Sequence, residues 1–264
     1  MEVRIIHDTS MVYEFLKNKE RYDYVYQLNN LEASQWKQVV CYGLFYEEEL
    51  KAIAMLNMNY GIPVLLAASF DDVEYSIKLI RKIKPFLPPK FYTHIDKATL
   101  AEVFPEDKIT GLEEYMNMGI WDFYVLNKMQ ENEAVRVGFK SINEIKYLLS
   151  VGHPGAWLDE ELVMLNENFG MYVNRKLVSF AGIHAYSNNY EVAAIAHVTT
   201  HPEYRKRGYG EQVVSALVNS LKGKIKFIGL NVKTDNVPAI NCYKKLGFEE
   251  FGRFMACDIE IKMD

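Results

Sequence analysis

Apolar and polar positions change their period several times along the 264-residue chain. Val39-Val-Cys-Tyr-Gly-Leu-Phe-Tyr46 and Leu50-Lys-Ala-Ile-Ala-Met-Leu56 are β-like runs separated by three glutamates, which predicts a hairpin. Ile62 to Ala68 predicts a third strand. Val73, Ile77 and Ile80 then recur at helical spacing behind Asp71-Asp72, a pair suited to capping the helix. Pro85, Pro88 and Pro89 end it. Lys90 to Ile95 reads as a strand and Lys97 to Val103 as a short helix. Ahead of all these, Met11 to Lys17 and Arg21 to Leu31 read as helical.

A second series begins near residue 120. Trp121 to Met129 and Ala134 to Phe139 read as strands. Ser141 to Ser150 reads as a helix, with Ser141 and Glu144 spaced as a capping box. Leu158 to Asn166 is helical again. Gly170 to Val173, Lys176 to Ile183 and Glu191 to Thr200 are three strands joined by short turns. Val213, Val214, Leu217, Val218 and Leu221 form one helical stripe, and Ile225 to Val232 a strand. Pro238 to Leu246 is a helix and Phe251 to Lys262 a last strand. Both halves run hairpin, third strand, helix, strand, helix, about 130 residues apart, which suggests internal duplication. The expected domains are residues 1–125 and 126–264.

Composition narrows the functional classes. Hydrophobic residues make up 49% and charged residues 25%, ordinary globular usage that excludes a disordered or fibrous chain. The net charge of −5 argues against a nucleic-acid partner, which would be held by surplus Lys and Arg. Eighteen Tyr and fourteen Phe are enough for more than one core. Tyr22, Tyr24, Tyr26, Tyr42 and Tyr46 read as core and rim packing before cleft lining. Cys41, Cys242 and Cys257 form no CxxC and indicate neither a disulfide framework nor a metal site. The first residues lack a signal-peptide core, and no apolar run reaches the roughly 20 residues of a membrane helix. The expectation is a cytoplasmic protein, without metal or membrane, as a monomer or homodimer.

The stretch that carries chemistry is His201-Pro-Glu-Tyr-Arg205-Lys-Arg-Gly208-Tyr-Gly210, between a strand and the helix of Glu211 to Leu221. Glycines there let the backbone approach a ligand. The unpaired N–H groups of the helix's first turn and its dipole make an anion site suited to a pyrophosphate. Arg205, Lys206 and Arg207 add positive charge. The spacing is neither that of a P-loop nor that of a dinucleotide fold. Downstream, Asn236 is placed to cap a helix with Pro238 in its first turn and Gly247 at its end. Ala239, Ile240, Tyr243 and Leu246 share one face.

Arg205-x-x-Gly208-x-Gly210 after a strand, with Asn236-x-x-Ala239-x-x-x-Tyr243-x-x-x-Gly247-Phe248 downstream, resembles the GCN5-related N-acetyltransferase (GNAT) superfamily. The resemblance covers about residues 130–264. It implies an α/β (α+β) fold: a mixed, mostly antiparallel central sheet flanked by helices, here in two tandem GNAT-like domains. It also implies an acetyl-CoA-dependent N-acetyltransferase acting on a primary amine of a small molecule or peptide. Val198, Thr199 and Thr200 would then offer backbone groups to the pantetheine arm. The backbone amides of Arg205, Lys206, Arg207, Gly208, Tyr209, Gly210 and Glu211 would cradle the pyrophosphate, and Asn236 would contact the pantetheine or the helix entry. Tyr243 would protonate the departing thiolate. The alternatives are a non-catalytic acyl-CoA-binding sensor or scaffold, and an acyltransferase using a larger acyl group.

The resemblance leaves the general base open. The positions that often hold it fall on Ala194 and Ala196. Strand alternation points the adjacent His197 the other way unless a bulge intervenes. His184 and Glu191 are further candidates. The first half reads Ser69-Phe-Asp-Asp-Val-Glu74 where the second has its glycines and basic residues, so its copy is expected to lack CoA binding.

Overall fold

The computed structural model describes residues 1–17, 24–59, 61–69, 72–123, 132–156 and 158–261. By internal contacts the chain forms two units: Met1–Asn117 with Phe251–Asp264, and Met118–Glu250. The last strand is thus counted with the first unit.

In unit 1, strands lie in the order β1 (Glu2–Ile6), β2 (Val39–Tyr46), β3 (Glu49–Asn57), β4 (Val64–Ala67), β5 (Lys90–Ile95) and β12 (Glu249–Glu260). All neighbours in this order are antiparallel except β4 and β5. α1 (Thr9–Lys17), α2 (Val25–Asn30) and α3 (Ala33–Trp36) belong to its first segment. α4 (Val73–Ile83) crosses from β4 to β5, and α5 (Lys97–Val103) follows. Leu79, Ile80 and Ile83 of α4 are buried with Leu44, Leu65, Phe91 and Ile95 in one core. That burial explains the helical spacing of its apolar residues. Asp72 caps α4 by accepting from the N–H groups of Glu74 and Tyr75; Asp71 lies outside the described residues.

Unit 2 repeats the plan. β11 (Phe227–Lys233), β10 (Val192–Thr200), β9 (Lys176–Ser187), β8 (Asn168–Val173) and β7 (Val135–Val137) are neighbours in that order. Only β10 and β11 among them run parallel. α8 (Tyr209–Leu221) crosses between β10 and β11, and α9 (Val237–Lys245) follows β11. α6 (Ile142–Gly152) buries Ile145, Leu148 and Leu149 in a cluster with Leu177 and Phe180 of β9. α7 (Glu160–Leu165) is capped by Asp159.

Two differences from the sequence reading, at β6 and at Ser141, have physical causes. The long strand β6 (Ile109–Ile120) is absent from that reading, because glycines at 111 and 119 and the Glu113-Glu114 pair break its pattern. Gly119 is required there: a Cβ would fall 2.1 Å from the Phe227 ring. Trp121, Asp122 and Phe123 lie beyond β6 and outside any strand, and the rest of the expected strand to Met129 falls outside the described residues. The expected helix from Arg21 is described only as α2, since residues 18–23 are outside the description. Finally, Ser141 does not cap α6. Its backbone sits in a 3-10 turn, and its hydroxyl meets the Tyr172 hydroxyl at 3.1 Å, which in turn donates to Glu144 at 2.9 Å. A tyrosine from β8 thus takes both partners of the expected box. Of the tyrosines read as packing, Tyr24 and Tyr42 are buried and Tyr46 is exposed; Tyr22 lies outside the described residues. The three cysteines are free thiols, Cys41 and Cys257 buried.

Candidate functional site

β10 and β11 pair in parallel only from Val192↔Phe227 to Ile195↔Leu230. Beyond Ile195 β10 continues to Thr200 beside β9 alone, ending in the pairs Thr199↔Phe180 and Thr200↔Ser179. A buried strand end without its second neighbour leaves backbone groups to be satisfied by something else. Val198, Thr199 and Thr200 all lie on this segment. Thr199 is 3% exposed, and its Oγ1 is buried with no hydrogen-bond partner. On the facing strand, Asn231 follows the last paired residue, and its Oδ1 is likewise buried without a partner. The sequence reading missed Asn231. Its signal is one amide directly after the apolar run Phe227-Ile-Gly-Leu and before Val232.

The chain then turns into α8. Arg205 is spent on the turn: its Nε donates to the Thr200 carbonyl at 3.1 Å, and its Nη2 to the Gly152 carbonyl at 3.0 Å. Arg207 donates to the Glu203 carbonyl at 3.3 Å and lies over the Tyr204 ring. Lys206 has φ +62°, a left-handed conformation unusual for a side chain with a Cβ. Gly208, the N-cap, has φ +80°, where glycine alone is unstrained. The first helical bond within α8 runs from Gln212 N–H to the Gly208 carbonyl. The N–H groups of Tyr209, Gly210 and Glu211 precede it and, as in any first turn, have no acceptor within the helix. A Cβ on Gly210 would lie 3.5 Å from Thr200 Oγ1, so the helix start sits directly against the strand end. Glu211 is held away by an ion pair of 2.7 Å with Lys245 of α9.

In α9, Asn236 Oδ1 accepts from Ala239 N–H at 3.3 Å, so its side chain makes the helix entry. Tyr243 is 6% exposed, with its ring 5.9 Å from that of Phe248. Burial, and secondarily Cys242, push its phenol above the ordinary value of 10. It therefore keeps its proton at neutral pH.

Alternation along β10 is interrupted. Ala196 faces Gly182 and Thr199 faces Phe180, so His197 and Val198 together oppose Ala181. This is a β-bulge, with His197 at φ +58°. It puts Ala196 and Thr199 on one face, the face where Gly152 at the end of α6 meets the Thr199 methyl. The His197 ring meets that of His184 of β9 edge to face, with centroids 6.2 Å apart. Burial first, then His184 and His153, hold His197 down to about 4. His184 is also held below the usual value by burial, opposed by the Asp159 carboxylate. Glu191 instead makes the turn into β10, paired with Lys226.

Among the described residues no group of His, Cys, Asp or Glu is arranged to hold a metal, and no helix is long and apolar enough to cross a membrane.

Comparison with known proteins agrees with this geometry. Residues 141–248 match the acetyltransferase (GNAT) family model. A 107-residue stretch is 36% identical to an uncharacterized protein of Mycobacterium leprae, covering 38% of this chain and only 28% of that protein. Among solved structures, a GNAT-family acetyltransferase of Colwellia psychrerythraea superposes with a TM-score of 0.57 at 14% identity, over 99% of this chain and all of that one. A Drosophila protein superposes at 0.70 and 11% identity, over 97% and 98% of the two chains. A tandem GNAT protein of the clavulanic acid biosynthesis pathway superposes at 0.55 and 12% identity over the whole of both. The chain carries a GNAT-family domain at residues 141–248, and its fold as a whole is like that of tandem GNAT proteins.

Proposed function

We propose that the chain is an N-acetyltransferase that moves an acetyl group from acetyl-CoA to a primary amine of a small molecule or peptide. The observation that carries this reading is the divergence of β10 from β11 after Ile195, with the N-terminus of α8 at the end of the diverging strand. The residues present fit acetyl-CoA. Val198, Thr199 and Thr200 lie on the part of β10 beyond its pairing with β11, and the first-turn amides of α8 supply donors for a pyrophosphate. Thr199 Oγ1 and Asn231 Oδ1 are buried polar atoms awaiting partners. In this reading the Arg205 side chain shapes the loop.

Bound there, acetyl-CoA supplies an activated acetyl group as a thioester. The chain's part is to hold the amine at the carbonyl and to give a proton to the leaving sulfur. Tyr243 is the candidate donor, since burial keeps its phenol protonated and a thiolate is a fair proton acceptor. The described residues of unit 1 are arranged differently at the corresponding place. β4 and β5 stay paired to Ala67↔Ile95, Ser69 N–H donates to both oxygens of Asp96 just past β5, and Asp72 occupies the first-turn amides of α4.

The test is release of free CoA thiol from acetyl-CoA with a panel of primary amines. Tyr243→Phe is expected to lower kcat by about a hundredfold while leaving the acetyl-CoA dissociation constant within about twofold. An equal loss in both would remove Tyr243 as the acid. A second reading, an acyl-CoA sensor without turnover, is favoured by the alanines at 194 and 196; acetyl-CoA binding with no thiol release from any amine would select it.

A further inference from the structure

The two units differ at one register position. In unit 1 the parallel pairing of β4 and β5 ends at Ala67↔Ile95, and the next residue on β5 is Asp96. In unit 2 the pairing of β10 and β11 ends at Ile195↔Leu230, and the next residue on β11 is Asn231. The Asp96 carboxylate takes the Ser69 N–H at 3.0 and 3.1 Å and the Thr99 hydroxyl at 3.4 Å, so its donors come from within the unit. Asn231 Oδ1 is buried and has no donor. A buried carbonyl oxygen in that state is unfavourable until an N–H or O–H reaches it.

Alternation places this oxygen. Ile195 and Leu230 are paired, so Ala196 and Asn231, one residue on, both project to the opposite face of the sheet. Ala196 faces Gly182 and Thr199 faces Phe180, on the side where the end of α6 meets Thr199. In the acyl-transfer reading acetyl-CoA occupies the gap between β10 and β11, and the amine meets its thioester at the fork where the strands part. From the fork to Thr200 on β10 and to Lys233 on β11 the chain carries no acidic residue. His197 stays neutral above about pH 4, burial holds His184 below the usual value, and Tyr243 keeps its proton. His153 also acts on His197, and the Asp159 carboxylate, which acts on His184, accepts from the N–H groups of Glu161 and Leu162.

We propose that Asn231 orients the acceptor by taking one of its N–H groups, and that the acceptor is a weakly basic primary amine, an α-amino group beside an amide or an arylamine, rather than an alkylammonium. The proposal rests on the acyl-transfer reading above. An alkylammonium at the fork would give up water without gaining a carboxylate, a large cost for a charge and a small one for a neutral amine. An α-amino group of pKa about 8 is about one-tenth neutral at pH 7, whereas a lysine-type amine of pKa about 10.4 is neutral in less than about one part in a thousand.

In the transfer the nitrogen lone pair forms the C–N bond. The C–S bond breaks with its electron pair leaving on sulfur, which takes the Tyr243 proton. Nitrogen gains positive charge as it attacks, so its bond to Asn231 Oδ1 strengthens toward the tetrahedral intermediate. The amide oxygen does not keep the proton: nitrogen releases it to water, and water returns one to the Tyr243 phenolate. One amine and one thioester give one amide and one thiol.

The experiment follows thiol release from acetyl-CoA by the full chain at pH 7 with alaninamide, aniline and n-butylamine. Acetyl-CoA affinity is measured for every variant. At equal total concentration, kcat/KM is expected to be about tenfold or more higher for alaninamide or aniline than for butylamine, and the faster of the two identifies the kind of weak base. Butylammonium at pH 6 is expected not to compete with that substrate. Asn231→Ala is expected to lower its kcat/KM about tenfold, with acetyl-CoA affinity within about twofold. Asn231→Asp is expected to turn butylammonium into a competitive inhibitor, a gain that a merely structural role would not produce. Butylamine as the best substrate, competition by butylammonium in the unsubstituted chain, or an unchanged rate in Asn231→Ala overturns the proposal and leaves the acyltransferase standing. A loss confined to acetyl-CoA affinity gives the Asn231 oxygen to the thioester substrate and overturns the proposal as well. No thiol release with any amine overturns both readings.

Discussion

Arg205 and Gly152 stand 53 positions apart in the chain and are joined by a hydrogen bond of 3.0 Å from guanidinium to carbonyl. The same guanidinium holds the Thr200 carbonyl, so one side chain ties the end of α6 to the end of β10 at the entrance to the α8 turn. Two donors in a fixed fork are needed, which lysine cannot supply. Arg205→Lys is therefore expected to weaken acetyl-CoA binding about tenfold and to lower stability by about 1 kcal/mol. Calorimetry and urea unfolding check the two parts. Arg207→Lys, at a single carbonyl contact, is the control expected to change binding less.

Gly152 carries a separate constraint. A Cβ there would lie 2.4 Å from the Thr199 methyl and 3.4 Å from the Thr200 carbonyl. Gly152→Ala is expected to cost about 1–3 kcal/mol by overpacking and to displace the strand end that the pantetheine arm would use. Thr199→Ser in the same background removes the clashing methyl and is expected to return most of the lost stability. No recovery in the double variant would show that the strain lies elsewhere.

In unit 1, Asp96 is 7% exposed and accepts from Ser69 N–H and the Thr99 hydroxyl, yet burial pushes its carboxyl up to about 6. The unfolded chain loses this proton near pH 4. Between those values the folded state binds more protons than the unfolded state, so this group's contribution to stability is present at low pH and is lost as pH rises through about 6. Relative to Asp96→Asn, the unsubstituted chain is expected to lose about 2 kcal/mol between pH 4 and 7. Urea unfolding at a series of pH values measures this, and parallel curves for the two proteins would contradict it.

Much of this was legible in the sequence because its signals are local. α9 announces itself by Asn236, Pro238 and Gly247, and the structure places the Asn236 cap and the Pro238 first turn as read. The strands around the β10 splay carry unbroken apolar runs. What escaped depends on partners distant in the chain. β6 forms although Glu113, Glu114 and its glycines spoil the pattern, and only its end, Met116, Met118 and Ile120, is buried. The capping box at Ser141 is defeated by Tyr172, a residue 31 positions away. The bulge at His197 and Val198 is not revealed by alternation alone, since the extra residue becomes visible only when β10 is laid against β9. The role of Arg205 as a clamp on two carbonyls was hidden behind its charge.

The most direct test of the account is the stoichiometry of acetyl-CoA binding to the full chain by titration calorimetry. Unit 2 has a strand that leaves its neighbour and a helix start capped by Gly208, whereas unit 1 has its β4 and β5 ends held together by Asp96 and its α4 amides taken by Asp72. The account predicts one equivalent of acetyl-CoA per chain, with affinity lost when Gly208 is replaced by Val. No saturable binding, or two equivalents per chain, would contradict it.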